Sequence, residues 1–381
     1  MSKRKTNFDL LRIFTMLGII LFHHFGTKMP NNFVRLTEGF SGNTYFYDFI
    51  NNAASGTVSK LSLLMDFCYG HFGNGGNYIF MMITGYFLFG RKISFPKRIR
   101  TVGNILFALL YYGIILTVIN FIVFCHYPFS HAPSFRPLFT LPNWLGGANL
   151  WYVQAYGVFI LVILPLLKLF EEKLTKQTHL CLAVALVFIN FLAYQTYLPN
   201  LWISFQIMNF IMWYYIGGYI SKYKVSVSGK KLLIMSAVYV VMYFAYEYYW
   251  RLSCSVMWEP SEYSYIDVMQ PFICCLIYAS LCFLIFNNIN ITFKGDKISG
   301  FLTAVSASTL GIYVFHYNMI NITFLLGDTF WWHDWSRKGY FLFCIIDSIM
   351  LFVIGAVLDI GRRKGYKYLT TIIEKQLTTA E

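Results

Sequence analysis

Residues 12–24 read RIFTMLGIILFHH, an apolar run of helical length with one arginine at its start and two histidines at its end. Ionisable groups are costly to bury in such a segment, so each one is a candidate functional residue. Eleven residues at about 100° each return Arg12 and His23 to one helix face, about 16 Å apart along the axis. His24 points about 100° away. The stretch predicts a membrane-spanning helix with a guanidinium and a titratable base on one stripe.

The composition extends this prediction to the whole chain. Of 381 residues, 57% are hydrophobic, 20% are aromatic and only 12% are charged, which is typical of multi-spanning membrane proteins. We therefore predict an all-α, polytopic membrane helix bundle that forms a single domain over residues 1–381. Its spans run from about 8 to 359, and 360–381 is a short cytoplasmic tail. The first span lacks a small-x-small cleavage site and is predicted to stay uncleaved.

Apolar segments of near-spanning length divide the chain, and we count ten of them. They cover roughly 8–26, 72–90, 102–124, 150–170, 180–198, 202–220, 232–250, 269–287, 303–326 and 339–359. With the N-terminus inside, 22 of the 30 Lys and Arg residues fall on the inner side, so both termini are predicted to be cytoplasmic.

The net charge of +13 therefore reports orientation and contact with membrane lipid rather than binding to nucleic acid. A bacterial cytoplasmic membrane is the expected location. The eight cysteines show neither a disulfide framework nor zinc spacing, so no metal site and no bound cofactor are predicted. Nothing in the sequence points to an oligomeric state or a protein partner.

The ionisable residues of the first span each allow two interpretations. His23 is either a hydrogen-bonded membrane histidine or a general base, for which an ordinary imidazole is well suited near neutral pH. Arg12 either snorkels to the inner surface or holds an anion such as a phosphate or an oxyanion. Asp9, three residues before Arg12, is its expected partner and could simply neutralise it.

Two further regions carry candidate residues. The densest basic patch, residues 91–100, contains Lys97, Arg98 and Arg100 and indicates either lipid contact or a polyphosphate site. No Gly-rich phosphate loop accompanies it, so a nucleotide hydrolase is not supported. In the ninth segment, Tyr313 and His316 share a helix face with a threonine at 309 and form a polar stripe that requires a bundle interior.

The order of several short motifs resembles the acyltransferase-3 family of integral membrane acyltransferases, in particular its stand-alone members. The first motif is the arginine, ten residues and histidine of the opening span. GNGGNYIFMMITGYFLF follows and resembles the second span of the family, with Thr84 where a serine is commoner. NLWYVQAYGVF contributes Trp151 and Tyr152, and STLGIYVFHYNMI contributes Tyr313 and His316. In place of the paired arginines of the family's basic loop, this chain has Lys97, Arg98 and Arg100 in a different spacing.

This resemblance implies transfer of an acyl group, most often from acetyl-CoA on the cytoplasmic side, to a hydroxyl of a cell-surface polysaccharide or its lipid-linked precursor. His23 and Arg12 would be catalytic, and Lys97, Arg98 and Arg100 would bind the donor. Asp9, Thr84, Trp151, Tyr152, Tyr313 and His316 would line the cavity or bind the acceptor. His23, however, is expected toward the outer face, whereas coenzyme A is cytosolic, so either a deep cavity or an acyl relay must join them.

Two other classes of function remain open. A transporter or flippase for a lipid-linked or acylated sugar would move its substrate without forming an acyl product. A structural or regulatory membrane subunit would not need the polar stripe around Tyr313 and His316. The O-acetyltransferase is the leading hypothesis.

Overall fold

The computed structural model describes residues 6–24, 60–126, 150–195, 202–257, 265–289, 291, 293, 296–330 and 337–379. Within these ranges every regular element is a helix, which confirms the predicted all-α fold. In chain order the helices are α1 (Thr6–His23), α2 (Lys60–Leu88), α3 (Phe95–His126), α4 (Trp151–Glu171), α5 (Lys176–Gln195), α6 (Trp202–Lys222), α7 (Gly229–Met257), α8 (Tyr265–Asn288), α9 (Asp296–Ser306), α10 (Thr309–Phe330) and α11 (Arg337–Thr379).

Among the described residues, six helices are long and apolar enough to cross a membrane: α1, α3, α4, α5, α7 and α11. A bent pair formed by α9 and α10 makes a seventh if it counts as one span. The total of ten spans and the inward orientation of both termini stay predictions. Most of the long polar loops, including 27–59 and 127–149, lie outside the described residues.

Several of the spanning helices keep large apolar side chains on the outside of the bundle. Val241 and Met242 of α7 are 66% and 65% exposed, and Val357 of α11 is 65% exposed. Such surface would drive aggregation in water, but the hydrocarbon of a bilayer covers it at no cost. The exposed apolar surface is therefore the lipid-facing perimeter of a multi-pass membrane protein.

The centre of the bundle is a close crossing of α2 and α6. A Cβ atom added to Gly85 would lie 2.1 Å from the carbonyl oxygen of Tyr214, and one added to Gly217 would lie 2.1 Å from that of Met82. Both glycines let the two backbones touch, as small residues do in membrane helix packing. Because central helices face protein rather than lipid, α2 and α6 can carry more polar residues than the helices at the perimeter.

The predicted ninth segment, 303–326, is not one continuous helix. The chain bends by 46° between Lys297–Ser306 and Thr309–Tyr317. The polar side chains at the break bind backbone carbonyls: the Thr309 hydroxyl donates to the carbonyl of Ser306, and Nη2 of Arg363 donates to that of Ala304 at 2.7 Å. The serines and threonines that looked like a simple polar stripe thus satisfy a break in the helix.

A buried charge cluster fixes the C-terminal half of α11. Asp359 is fully buried, and its carboxylate accepts hydrogen bonds from Nε of Arg362 at 2.6 Å and from the Tyr112 hydroxyl at 3.4 Å. Nη1 of Arg362 also donates to the Asn104 side chain at 2.8 Å. Arg362 falls in the predicted cytoplasmic tail, 360–381, but it is 1% exposed and ties α11 to α3.

The crossing of α2 and α6 gives a stability prediction. Gly85→Ala adds a methyl group against the backbone of Tyr214, which cannot move aside, so the melting temperature in detergent should fall by several degrees. Gly157→Ala in α4 is the matched control, because a Cβ there meets nothing within 4 Å and alanine favours a helix. Equal melting temperatures for the two variants would contradict the close crossing.

Candidate active site

The N-terminal half of α1 carries Arg12 and Asp9, which form an ion pair with 3.4 Å between Nη1 and Oδ1. Asp9 is 1% exposed and also accepts hydrogen bonds from the hydroxyls of Ser306, at 2.7 Å, and Thr303, at 3.2 Å. The carboxylate is thus held by α9, and its charge is shared among three donors. The side chain of Arg12 stays 25% exposed, so its guanidinium remains accessible to an anion.

At the other end of α1 the two histidines separate as the helix geometry predicts. His23 is half-buried, and its ring lies beside the rings of His316 and Tyr317, with centroids 5.0 and 5.1 Å away. His24 is fully buried against α11. The two neighbouring imidazoles therefore occupy different surroundings, and only His23 joins the face that carries Arg12.

His24 forms a buried pair with Asp347 across the bundle. Its Nε2 lies 2.7 Å from Oδ2 of Asp347, and its Nδ1 lies 3.0 Å from the carbonyl oxygen of Ile20. Nδ1 of His24 also lies 3.2 Å from the Ser348 hydroxyl, so both ring nitrogens have polar contacts and the ring is held between α1 and α11. Asp347 falls in the last predicted span, 339–359, where an acid needs a partner, but the sequence does not identify His24 as that partner.

A row of aromatic and polar side chains connects the two ends of α1 through the interior, and we call it the interior row. It consists of Tyr156, Tyr152, Tyr313, His316 and His23. Successive ring centroids are 6.1, 5.5, 5.6 and 5.0 Å apart. The Tyr313 hydroxyl also hydrogen-bonds the backbone of Tyr152 at the start of α4. Four of the residues singled out from the sequence, Tyr152, Tyr313, His316 and His23, are therefore neighbours in the row.

The Tyr156 end of the interior row lies near Arg12. Tyr156 shares a hydrogen bond with Thr84 and lies within electrostatic range of the Arg12 guanidinium. Sequence reasoning missed Tyr156, although its spacing of four residues from Tyr152 places both on one face of α4. Trp151 lies beside the row, with its ring centroid 5.8 Å from that of Tyr152 and 6.3 Å from that of Phe210.

A second polar feature lies where α2, α3 and α4 meet. It is a cavity of about 280 Å³, which we call the basic cavity. Its polar lining consists of Gly90, Arg91, Lys92, Arg98, Lys168, Glu171 and Glu172. Four of these residues are cations, so the described lining favours an anionic ligand.

Buried Glu171 organises the wall of the basic cavity. The glutamate is 2% exposed and accepts hydrogen bonds from the Tyr214 hydroxyl at 2.7 Å, Nζ of Lys168 at 2.8 Å and the backbone N–H of Gly90 at 2.7 Å. Gly90 has a positive φ of 70°, which turns the chain after α2 so that its N–H reaches the carboxylate. Neither Lys168 nor Glu171 was singled out from the sequence, although their spacing of three residues signals a helical ion pair.

The predicted donor-binding cations point in different directions. Arg98 lines the basic cavity, and its Nη1 lies 3.4 Å from the carbonyl oxygen of Leu161. Lys97 and Arg100 are exposed and do not line it. Steps of about 100° per residue explain the difference, because a helix cannot direct 97, 98 and 100 to the same side. Leu161 belongs to a π-helical turn, Phe159–Ile163, a feature frequent at functional sites.

Helix α4 joins the two features. Its N-terminal half supplies Tyr152 and Tyr156 to the interior row, and its C-terminal half supplies Lys168 and Glu171 to the basic cavity. Tyr156 and Lys168 are twelve residues apart, or about 18 Å along the helix axis. A helix that contributes to both sites, with the π-helical turn between them, fixes their separation.

A multi-pass membrane protein with an interior row of this kind belongs to the enzymes or carriers that handle polar groups within the bilayer. The comparison with protein families then narrows the class: residues 5–361, nearly the whole chain, match the model of the acyltransferase domain, Acyl_transf_3. The chain belongs to this acyltransferase family, and an acyl-transfer activity is the function that membership supports. Neither the curated proteins nor the solved structures contain a match to it.

The buried pair of His24 and Asp347 gives a prediction on stability. Asp347→Leu leaves His24 without its carboxyl partner and should destabilise the protein by about 3–5 kcal/mol. His24→Leu alone should do similar damage. The double variant, which removes both polar groups, should be clearly less destabilised than the sum of the single variants. Melting temperatures of the four purified proteins test this, and strictly additive losses would show that the two side chains do not interact.

Proposed function

We propose that this protein transfers an acetyl group from acetyl-CoA on the cytoplasmic side to a hydroxyl of a cell-surface polysaccharide or its lipid-linked precursor. The bacterial cytoplasmic membrane would be its location. The observation that carries the proposal is the interior row. It begins at Tyr156, next to Arg12, and ends at His23, so it would join an anion-binding group to a base. Membership of the acyltransferase family supplies the reaction class.

The basic cavity is the proposed site for the phosphates of the donor. Arg91, Lys92, Arg98 and Lys168 line it, and guanidinium groups bind phosphate oxygens through paired hydrogen bonds. With the N-terminus inside, the cavity faces the cytoplasm, where coenzyme A is found. Lys97 and Arg100 would contribute charge at longer range.

Two groups would perform the chemistry in the interior row. The acetyl carbonyl carbon forms a new bond to the acceptor oxygen while its bond to the donor sulfur breaks. His23 removes the hydroxyl proton as the oxygen attacks, and that proton finally reaches the thiolate of coenzyme A. Arg12 stabilises the oxyanion of the tetrahedral intermediate with its accessible guanidinium. Because α1 separates these groups by about 16 Å, the acyl group must move along the row or the substrates must reach deep into it.

A transporter for a lipid-linked or acylated sugar is the second candidate, and the break between α9 and α10 favours it. Discontinuous spans frequently form substrate sites in transporters. The bend of 46° lies next to Asp9 and Arg12, through Thr303 and Ser306. A carrier would move the sugar without forming ester-linked acetate, so the acyl product distinguishes the two candidates.

The role of His23 gives a prediction on activity. His23→Ala should abolish O-acetylation of the surface polysaccharide, because no other base would replace the imidazole, while the protein remains in the membrane. Quantitative NMR of acetyl groups on the isolated glycan, with membrane levels measured by immunoblot, is the test. Unchanged acetyl content in cells that contain the variant would remove His23 from catalysis.

The lining of the basic cavity gives a prediction on donor binding. Arg98→Ala and Lys168→Ala should each raise the Kd for acetyl-CoA by about 10- to 100-fold, the loss of one or two charge-assisted hydrogen bonds. Isothermal titration in nanodiscs measures this. Lys97→Ala and Arg100→Ala remove the same charge from exposed positions and should weaken binding several-fold less.

Lys231→Ala, at an exposed position on α7, serves as the charge-matched control for the same titration. If all five variants bound acetyl-CoA equally, the cavity would not be the donor site. If Lys97→Ala and Arg100→Ala had the larger effects, the donor would lie on the outer surface of α3.

A further inference from the structure

His316 is a buried histidine with one nitrogen committed and the other available. The side chain is 1% exposed, and its Nδ1 lies 3.1 Å from the carbonyl oxygen of Ile312. A carbonyl oxygen only accepts, so the ring carries its proton on Nδ1 and leaves a lone pair on Nε2. Within the described part of the chain, Nε2 has no hydrogen-bond partner.

An unsatisfied polar atom at such a position calls for an explanation. Burial of a ring nitrogen without a hydrogen bond is unfavourable, so such a nitrogen inside the bundle is a candidate for a functional role. His24, which is also fully buried, is bonded through both ring nitrogens, to Asp347 and to the carbonyl of Ile20. The contrast indicates that the lone pair of His316 has a use.

Among the described neighbours, His23 is the group that Nε2 of His316 can serve. The two rings lie 5.0 Å apart between centroids, with His23 half-buried and His316 enclosed. Two other titratable groups lie near His316. The ring of Tyr313 is 5.6 Å away between centroids, and His24 lies within electrostatic range. Tyr313 is already hydrogen-bonded to the backbone of Tyr152, and His24 to Asp347.

We propose that His316 is the proton-accepting partner of His23, so that the base of this enzyme is a pair of imidazoles rather than a single one. This inference rests on the proposed acyl transfer. His23 touches the acceptor hydroxyl, and His316 acts through His23 as a positioning and proton-storing residue.

The acceptor O–H bond breaks and its proton forms an N–H bond on one nitrogen of His23, while the opposite nitrogen of that ring gives its proton to Nε2 of His316. His316 is then an imidazolium whose Nδ1–H stays bonded to the carbonyl of Ile312. After the carbon–sulfur bond breaks, the proton returns through His23 to the thiolate, and both rings are neutral again.

The test compares two substitutions that keep different features of His316. His316→Gln places an amide at the position of Nε2 that accepts a hydrogen bond but not a proton, and His316→Ala removes the ring. Transfer of label from radioactive acetyl-CoA to polysaccharide in isolated membranes, divided by the amount of folded protein, should fall at least about 10-fold in both. His71→Gln is the matched control, because His71 is also buried but lies outside the interior row.

Chemical rescue separates proton acceptance from packing. Added imidazole should restore label transfer in His316→Ala, whereas pyrazole, which has the same shape and is a far weaker base, should not. Rescue by both compounds equally, or full activity of His316→Gln, would mean that His316 only fills space and would overturn the inference. Failure of both compounds would also overturn it if the variant elutes as a folded monodisperse protein.

A spectroscopic measurement tests the tautomer without any activity. In protein labelled with ¹⁵N-histidine, the signals that His316→Gln removes should be those of a neutral ring protonated on Nδ1. A ring protonated on Nε2 would overturn the inference. A wild-type protein that transfers no label while showing the expected tautomer would instead overturn the proposed function, so the two failures are distinguishable.

Discussion

The structure depends on one constraint: an ionisable group inside an apolar bundle must have a partner, because water is not there to supply one. Asp9 is held by Arg12 and two hydroxyls of α9. Asp347 is held by His24, and Asp359 by Arg362. The pair of His24 and Asp347 joins α1 to α11, and the further hydrogen bonds of Asp9 and Arg362 join α1 to α9 and α11 to α3. The charges that would be a liability in the membrane therefore help to determine which helices are neighbours.

The same constraint draws attention to the side chains that are placed to take part in chemistry. Arg12 keeps part of its guanidinium exposed, His23 keeps part of its imidazole exposed, and Nε2 of His316 keeps its lone pair. These three groups lie along the interior row, whereas the fully paired charges lie beside it. Polar groups that lie along one path inside a membrane bundle have the arrangement expected of a site for a polar reaction within a membrane.

The fold class and part of the site could be predicted from the sequence. Composition alone predicted an all-α membrane bundle, and helix periodicity alone placed Arg12 and His23 on one face with His24 turned away. Those features are local, and 100° per residue determines them. The resemblance to acyltransferases was confirmed by the family match. Tyr313 and His316 were singled out as a stripe and lie in the interior row.

The remaining features depend on contacts between distant segments, which periodicity does not encode. The partner of Asp347 lies 323 residues away. Arg98 was grouped with Lys97 and Arg100 by sequence proximity, but only contact with α4 shows which of the three enters the basic cavity. The 46° break in the predicted ninth span was hidden because serine and threonine residues are compatible with both a straight and a broken helix. Arg362 was assigned to the cytoplasmic tail because the sequence does not show that it is buried with Asp359.

The most direct test of the account is the passage of label across the membrane. Acetyl-CoA carrying a radioactive acetyl group would be supplied to inside-out and to right-side-out vesicles that contain wild-type protein or the Arg12→Ala and His23→Ala variants. The account predicts ester-linked label on polysaccharide only when the donor meets the side that carries the basic cavity, and none with either variant. Label that forms equally from both sides, or equally in the variants, would contradict it.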